Sequence, residues 1–364
     1  MNVVGTTMVM SMKERLFELV VNNVISNAIN IGNQLNLFHH LAQIATSDSP
    51  VLPAQLAEAA GCKERYIREW CNTLACGRII EVNEKEQFWI APENVEDLTS
   101  NSFELVSHGM MPTLLEPLED LINCFKKDGP FGLQYSQFTK FQEFMGEMSR
   151  SLHETHVVSS LLPDIGHGVL DKLKEGVRVL DVGCGNGFHS ALLAEQFPNS
   201  KFVGLDIGED AIKQAKERVK SNGERFENLE FVAQDAGKMD GSWTEKFDIV
   251  MIFDACHDQM RPDLCIQNIH RVLKKDGVFA MVEVVGSSNV HQDRNTLGPM
   301  ATLMYGCSMF HCLPVGSNCK DALCYGAMWG RKRAEKLLND CGFDNIEYKA
   351  TPYFPINALY IAKK

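Results

Sequence analysis

The sequence predicts an α/β protein, an open parallel sheet preceded by a smaller helical unit with a winged-helix pattern. Three observations predict it. From Gly166 onward, short apolar β-prone runs alternate with helical patterns, the signature of strand–helix–strand units. The first of those runs ends in Asp181-Val-Gly-Cys-Gly-Asn-Gly187, and Phe188, Ala191, Leu192 and Phe197 then recur at helical spacing. Upstream, residues 51–98 read helix, helix, hairpin.

The bulk numbers bound the classes of function. The 364 residues suffice for two or three domains, and 45% hydrophobic with 23% charged residues is ordinary for a soluble globular chain. A formal net charge of -12 disfavours nucleic acid as the main partner, because backbone affinity comes from Lys and Arg. No apolar run approaches a bilayer span, so no membrane partner is expected. The start, residues 1–12, is mildly apolar but lacks a basic stretch and a cleavage site, which implies a cytoplasmic protein. Twelve scattered cysteines, Cys71 and Cys265 among them, fit small reduced core residues.

In chain order, residues 13–46 read as helices. Leu16, Leu19, Val20 and Val24 share one face, continued by Ile31, Leu35, Phe38 and Leu41; such a face packs a core or forms a homodimer. Pro53 opens a helix carrying Leu56, Ala59 and Ala60 that Gly61 ends, and a second carries Tyr66, Ile67, Trp70, Cys71 and Leu74. Strands at 78–82 and 87–90 flank residues 83–86. This unit holds five basic and nine acidic residues, which favours a dimerisation and substrate-wall role over DNA binding. Residues 99–165 carry two apolar stripes: Leu114, Leu115, Leu118, Leu121 and Ile122, then Phe141, Phe144, Met145 and Met148, followed by His153 and His156. The break between them is 128–132. Strands then follow at 177–182, 201–206, 229–235, 247–253 and 277–284, and 343–349 with 357–362 close the sheet. Ala211, Ile212, Ala215 and Val219 mark one intervening helix, and Leu264, Ile266, Ile269, Val272 and Leu273 another. A last helix carries Ala334, Leu337, Leu338 and Cys341 and stops at Gly342.

Gly183, Gly185 and Gly187 let backbone approach a ligand with no Cβ in the way, at the start of a helix with unpaired N–H groups. A dinucleotide fingerprint would place its third glycine one residue later, where Phe188 stands. D-x-G-x-G-x-G is instead the pattern of S-adenosylmethionine-dependent methyltransferases, which this stretch closely resembles. Ligands of open parallel sheets bind beyond the carboxyl ends of the strands. Asp181, Asp206 and Asp235 end three consecutive strands there, which suits a cationic amino-acid end, a ribose diol and an adenine edge respectively; Ile207 and Ala236 follow the second and third acids.

The second half therefore resembles the class I S-adenosylmethionine-dependent methyltransferases, with their Rossmann-like sheet. Pro53-x-x-Leu-Ala57, then Arg65-Tyr-Ile-Arg-Glu-Trp70 and the hairpin, resemble the winged-helix domain that precedes it in one bacterial and animal group. Plant small-molecule O-methyltransferases share that layout, with dimerisation through the N-terminal domain. Phe253-Asp-Ala-Cys-His-Asp-Gln259 resembles the segment that supplies the plant enzymes' base, which implies His257 as general base and Glu283, in Val282-Glu-Val284, as the acid beside it. An imidazole suits the removal of a hydroxyl proton during in-line methyl transfer, and Asp258 or Glu283 would orient it. Gln259 departs from the plant tryptophan, and Met328-Trp-Gly330 stands where a second flanking acid is expected.

The resemblance implies three segments: 1–98, N-terminal helices and winged helix; 99–165, a helical connector or lid; and 166–364, an S-adenosylmethionine-binding domain with an insertion at 285–330. Met300, Met304, Tyr305, Met309, Phe310, His311, Leu313, Tyr325, Met328 and Trp329 of that insertion suit an apolar pocket for a small-molecule substrate. Cys307, Cys312, Cys319, Cys324 and His311 invite a zinc reading, but C-x4-C twice lacks the usual knuckle spacing, and no metal is expected. Two other classes remain open: a winged-helix DNA-binding regulator, and a protein that binds S-adenosylmethionine without transferring methyl.

Overall fold

The computed structural model divides into two compact units, Met1–Pro112 and Thr113–Lys364. It describes residues 10–221 and 226–364. Most of the 1–12 start, and the side chain of Val219, lie outside the described residues.

In the first unit, helix α1 (Met12–Gln34) is opened by a capping box in which Ser11 and Glu14 satisfy each other's backbone N–H. Asn36, in the left-handed region at φ 54°, turns the chain into α2 (Leu37–Ile44). Helices α3 (Pro53–Ala59) and α4 (Glu64–Cys76) pack Leu56, Ile67, Trp70 and Leu74 with Leu37, Phe38 and Leu41 of α2 into one core. The wing is shorter than the sequence suggests. Strand β1 (Glu81–Val82) pairs antiparallel with β2 (Phe88–Trp89), because Arg78 and Glu86 adopt positive φ and Asn83 closes an Asx turn on Lys85 and Gln87. The apolar face of α1 stays uncovered: Leu16, Phe17, Val20 and Val24 are each more than half exposed.

The second unit is built on seven strands: β3 (Arg178–Val182), β4 (Lys201–Asp206), β5 (Leu229–Ala233), β6 (Phe247–Phe253), β7 (Leu273–Val284), β8 (Asn345–Ala350) and β9 (Asn357–Lys363). Their order is β5-β4-β3-β6-β7-β9-β8. All neighbouring pairs are parallel except those of β9, which runs antiparallel to β7 and β8. The sheet is thus parallel through β3–β7, as the alternation of strands and helices predicts, and antiparallel at β9. A short connection joins β8 to β9, too short for the crossover that a parallel pair needs, so the two form a hairpin.

Both sheet faces are covered, which explains the continuous apolar runs of the central strands. Leu180, Val182, Val250, Ile252, Phe279 and Met281 face Ile266 and Ile269 of helix Pro262–Val272 and Leu338 of helix Gly330–Asp340. Val179, Ile249, Met251 and Ala280 face Leu161, Leu173, Leu193 and Ala194. With its faces closed, the sheet leaves its carboxyl edge for a ligand.

Candidate functional site

The glycine turn lies at that edge. Gly183, Gly185 and Gly187 sit at φ 69°, 52° and 78°, where other residues are strained. Packing adds a second requirement at two of them. A Cβ on Gly183 would lie 2.5 Å from Ala255 Cβ, and one on Gly187 would lie 2.5 Å from the Phe231 ring. Gly187 also opens helix Phe188–Gln196, whose first N–H groups border the turn.

The three acids take different positions around it. Asp206 ends β4; its Oδ2 accepts the Gly185 N–H at 2.9 Å and its Oδ1 the Gly208 N–H at 2.8 Å. Each oxygen keeps a lone pair for a further donor. Burial raises its pKa, against the pull of those N–H groups. Ile207, next in the chain, is 53% exposed, an apolar side chain left open at the edge. Asp181 is buried within β3, where Ser190 Oγ donates to its Oδ2 at 2.6 Å. Burial pushes its pKa up to about 6. Asp235 does not end a strand as expected. Strand β5 stops at Ala233, and Asp235 caps the turn Ala236–Lys238, accepting the Gly237 N–H at 2.8 Å, with Ala236 buried behind it.

His257 and Glu283 meet in the fold. Strands β6 and β7 are parallel neighbours, so the turn after β6 passes over the end of β7. His257 Nδ1 lies 2.5 Å from Glu283 Oε2, and the N–H groups of Cys256 and His257 both donate to Glu283 Oε1. Asp258 flanks the other ring nitrogen, with Oδ1 3.3 Å from Nε2. All three side chains are buried. Burial opposes a charge on the imidazole, but the two carboxylates outweigh it and hold the His257 pKa well above its ordinary value. The expected second acid is absent here; Trp329 instead donates its indole N–H to Glu283 Oε2 at 3.4 Å.

Phe253 is buried at the end of β6, its ring stacked on His189 at 3.8 Å, so the turn that follows it, rather than the ring, borders the sheet edge. The apolar residues of the insertion take different places. Trp329 belongs to the sheet core, Met304 and Met328 are buried, and Met309 and Leu313 are exposed. A π-helical turn, Ser308–Cys312, places His311 flat against Phe141 at 3.8 Å. Two groups of side chains escaped sequence reasoning. Tyr135 donates to Asp258 Oδ2 at 3.1 Å. Beside Phe253, a polar chain runs from His189 to His153 at 2.9 Å, then to Asn357 and on to Asp254. Partners separated by up to 204 positions leave no local pattern to read.

The comparisons agree with this architecture. Residues 173–340 match the family model of a methyltransferase domain, and residues 23–100 match that of the Rv2258c-like winged HTH domain. The fatty-acid O-methyltransferase of Mycolicibacterium smegmatis is 37% identical over 106 residues, which span 29% of this chain and 36% of that enzyme. In fold, the chain resembles mitomycin 7-O-methyltransferase, with TM-score 0.68 and 15% identity, over 97% of this chain and 98% of that one. It also resembles human N-acetylserotonin methyltransferase in complex with SAM, with TM-score 0.66 and 16% identity, over 99% of each chain. With these matches, the strand order and the glycine turn, residues 173–340 are a methyltransferase domain of the class I fold, and a winged helix-turn-helix domain at residues 23–100 precedes it.

Proposed function

We propose that this protein transfers a methyl group from S-adenosylmethionine to a small-molecule acceptor, with a hydroxyl oxygen as the preferred acceptor atom. The observation that carries the reading is the turn itself: three left-handed glycines whose middle N–H donates to the carboxylate of Asp206. The residues fit the cofactor. The glycines form a cradle that Cβ atoms would fill, Asp206 has lone pairs for two ribose hydroxyls, and Ile207 offers an uncovered apolar surface to a flat base. Asp181 would face the amino-acid end, and Asp235, Ala236 and the turn after Phe253 the adenine side and the sulfonium side.

When bound, S-adenosylmethionine supplies an activated methyl group for in-line displacement. The chain's own part is to orient the acceptor and to take its proton. In this reading His257 is the base in its neutral form, which displacement of the Asp258 carboxylate by the acceptor favours: Glu283 holds Nδ1, which leaves Nε2 for the acceptor hydroxyl. The acceptors and names of the relatives support a small apolar molecule, and the uncovered face of α1 supports a homodimer.

Calorimetric titration with S-adenosylmethionine and S-adenosylhomocysteine tests the cofactor. Both should bind saturably, and Asp206→Ala should weaken them by roughly 10–100-fold, the worth of hydrogen bonds to a charged group. No binding by a folded sample would end the reading. Once an acceptor is found, His257→Ala should slow turnover by about 10²–10⁴-fold with cofactor affinity unchanged. Unchanged turnover would leave transfer to proximity and orientation alone.

A further inference from the structure

We propose that His257 Nε2, an Asp258 carboxylate oxygen and Cys312 Sγ form a binding site for a divalent transition-metal ion, zinc foremost. One ligand atom from each residue lies within 4.8 Å of the others. The four-cysteine set suggested by the insertion's spacing contributes only Cys312 to it. The other two ligands come from the turn after β6, some fifty positions earlier, which sequence spacing could not reveal.

Three independent features point to an ion. Asp258 Oδ1 is buried and accepts no hydrogen bond, an orphaned acceptor aimed at the His257 ring. His257 presents its other nitrogen to Glu283 at 2.5 Å, and Glu283 is itself anchored by two backbone N–H groups. That is the outer-shell carboxylate which fixes a metal-binding imidazole's tautomer and direction. Finally, two buried carboxylates flank one imidazole, and among the described residues no lysine or arginine pairs with either. One imidazolium offsets only one of the two negative charges, and a divalent cation balances both in a place where buried charge is expensive.

The donor set of one nitrogen, one oxygen and one sulfur suits zinc better than magnesium or calcium, which take oxygen ligands. Three protein ligands leave a fourth position open. Zinc–ligand bonds of about 2.0–2.3 Å need the donors to close by roughly 1 Å, a side-chain adjustment. Cys312 is half-buried, whereas His257 and Asp258 are buried. The Nε2 lone pair can hold either the ion or a proton. A bound ion therefore blocks the base role given to His257, and zinc should inhibit turnover. That consequence rests on the methyl-transfer reading, whereas binding of the ion does not.

The test uses the full chain, stripped with a chelator and then titrated with zinc against a chromophoric competitor, with elemental analysis of the zinc retained. The parent protein and Cys319→Ser should each hold one zinc. Cys312→Ser and Asp258→Asn should each bind it at least tenfold more weakly. Loaded with cobalt(II), the parent and Cys319→Ser should show thiolate-to-metal charge-transfer absorption that Cys312→Ser lacks. The proposal is overturned if the parent retains no zinc, or if both site variants bind it as the parent does. S-adenosylmethionine titration of the same samples reports folding and separates the two readings. Cofactor binding without zinc removes only the metal site, and zinc binding without cofactor removes only the methyl-transfer reading.

Discussion

At the scale of single residues, the two conformational demands on Gly187 act together. Its φ of 78° disfavours any side chain, and the Phe231 ring already occupies the space of a Cβ. Gly187→Ala should therefore destabilise the protein by about 2–5 kcal/mol, strain and overpacking combined, measured as a lower urea midpoint. Asp181 makes a different prediction. Its folded pKa of about 6 lies above the unfolded value of 3.8, so the native state binds the extra proton between them. This contribution to stability is fully present below the unfolded pKa and is lost as pH rises through the folded one. The loss is about 3 kcal/mol above pH 6 in the cofactor-free protein. Asp181→Asn should flatten the decline between pH 4 and 7 in urea titrations while weakening cofactor binding. A decline as steep in the variant as in the parent would show that Asp181 is ionised without penalty. A residue that destabilises the free protein at neutral pH is reasonable where a cation is to be bound.

At the scale of elements, α1 packs Ile29 into the core of the first unit but leaves an apolar face open toward its N-terminus. This 23-residue helix holds Leu16, Phe17, Val20 and Val24 in water, the kind of apolar face that marks an interaction site. Leu16→Glu with Val20→Glu should convert a dimer to a monomer in light scattering and leave the far-UV spectrum unchanged. A parent protein that is already monomeric at micromolar concentration would exclude this interface. The recognition position of the winged helix has a contrasting character. On α4, Arg65 pairs with Glu69, and Arg68 with both Glu64 and Glu86, so acids on the same surface neutralise the arginines that a phosphate backbone would need. The acidic balance read from residues 51–98 is thus realised as specific ion pairs.

For the whole molecule, buried His153 and His311, whose pKa values burial lowers to about 4, oppose stability in acid. His153 is 1% exposed, and burial lowers its pKa to about 4, although Asn357 accepts a hydrogen bond that favours the charged form. The unfolded chain takes up this proton near pH 6.5, so stability is lost as pH falls from there through 4, by about 3 kcal/mol in all. His153→Gln should make that part of the unfolding profile shallower, measured by denaturant titration at pH 7, 5.5 and 4.5. An unchanged profile would place the acid sensitivity elsewhere.

The sequence by itself determined the layers, the strand count of the sheet and the ligand edge, because these follow from local pattern. Apolar period marks strands and helices, and the spacing of Gly183, Gly185 and Gly187 records left-handed backbone that few other residues tolerate. His257 and Glu283 were legible as a pair through the resemblance of residues 253–259 and 282–284 to the plant O-methyltransferases, and the parallel pairing of β6 with β7 brings them together. The tertiary structure decided what depends on contacts between distant positions. It turned β9 antiparallel through its short link to β8, moved Asp235 from a strand end to a turn, sent Trp329 into the core against Glu283, and set Cys312 beside His257 and Asp258. None of these has a period or a spacing. Each is fixed by close packing and by the need of buried polar groups for partners, and both are properties of the folded chain as a whole.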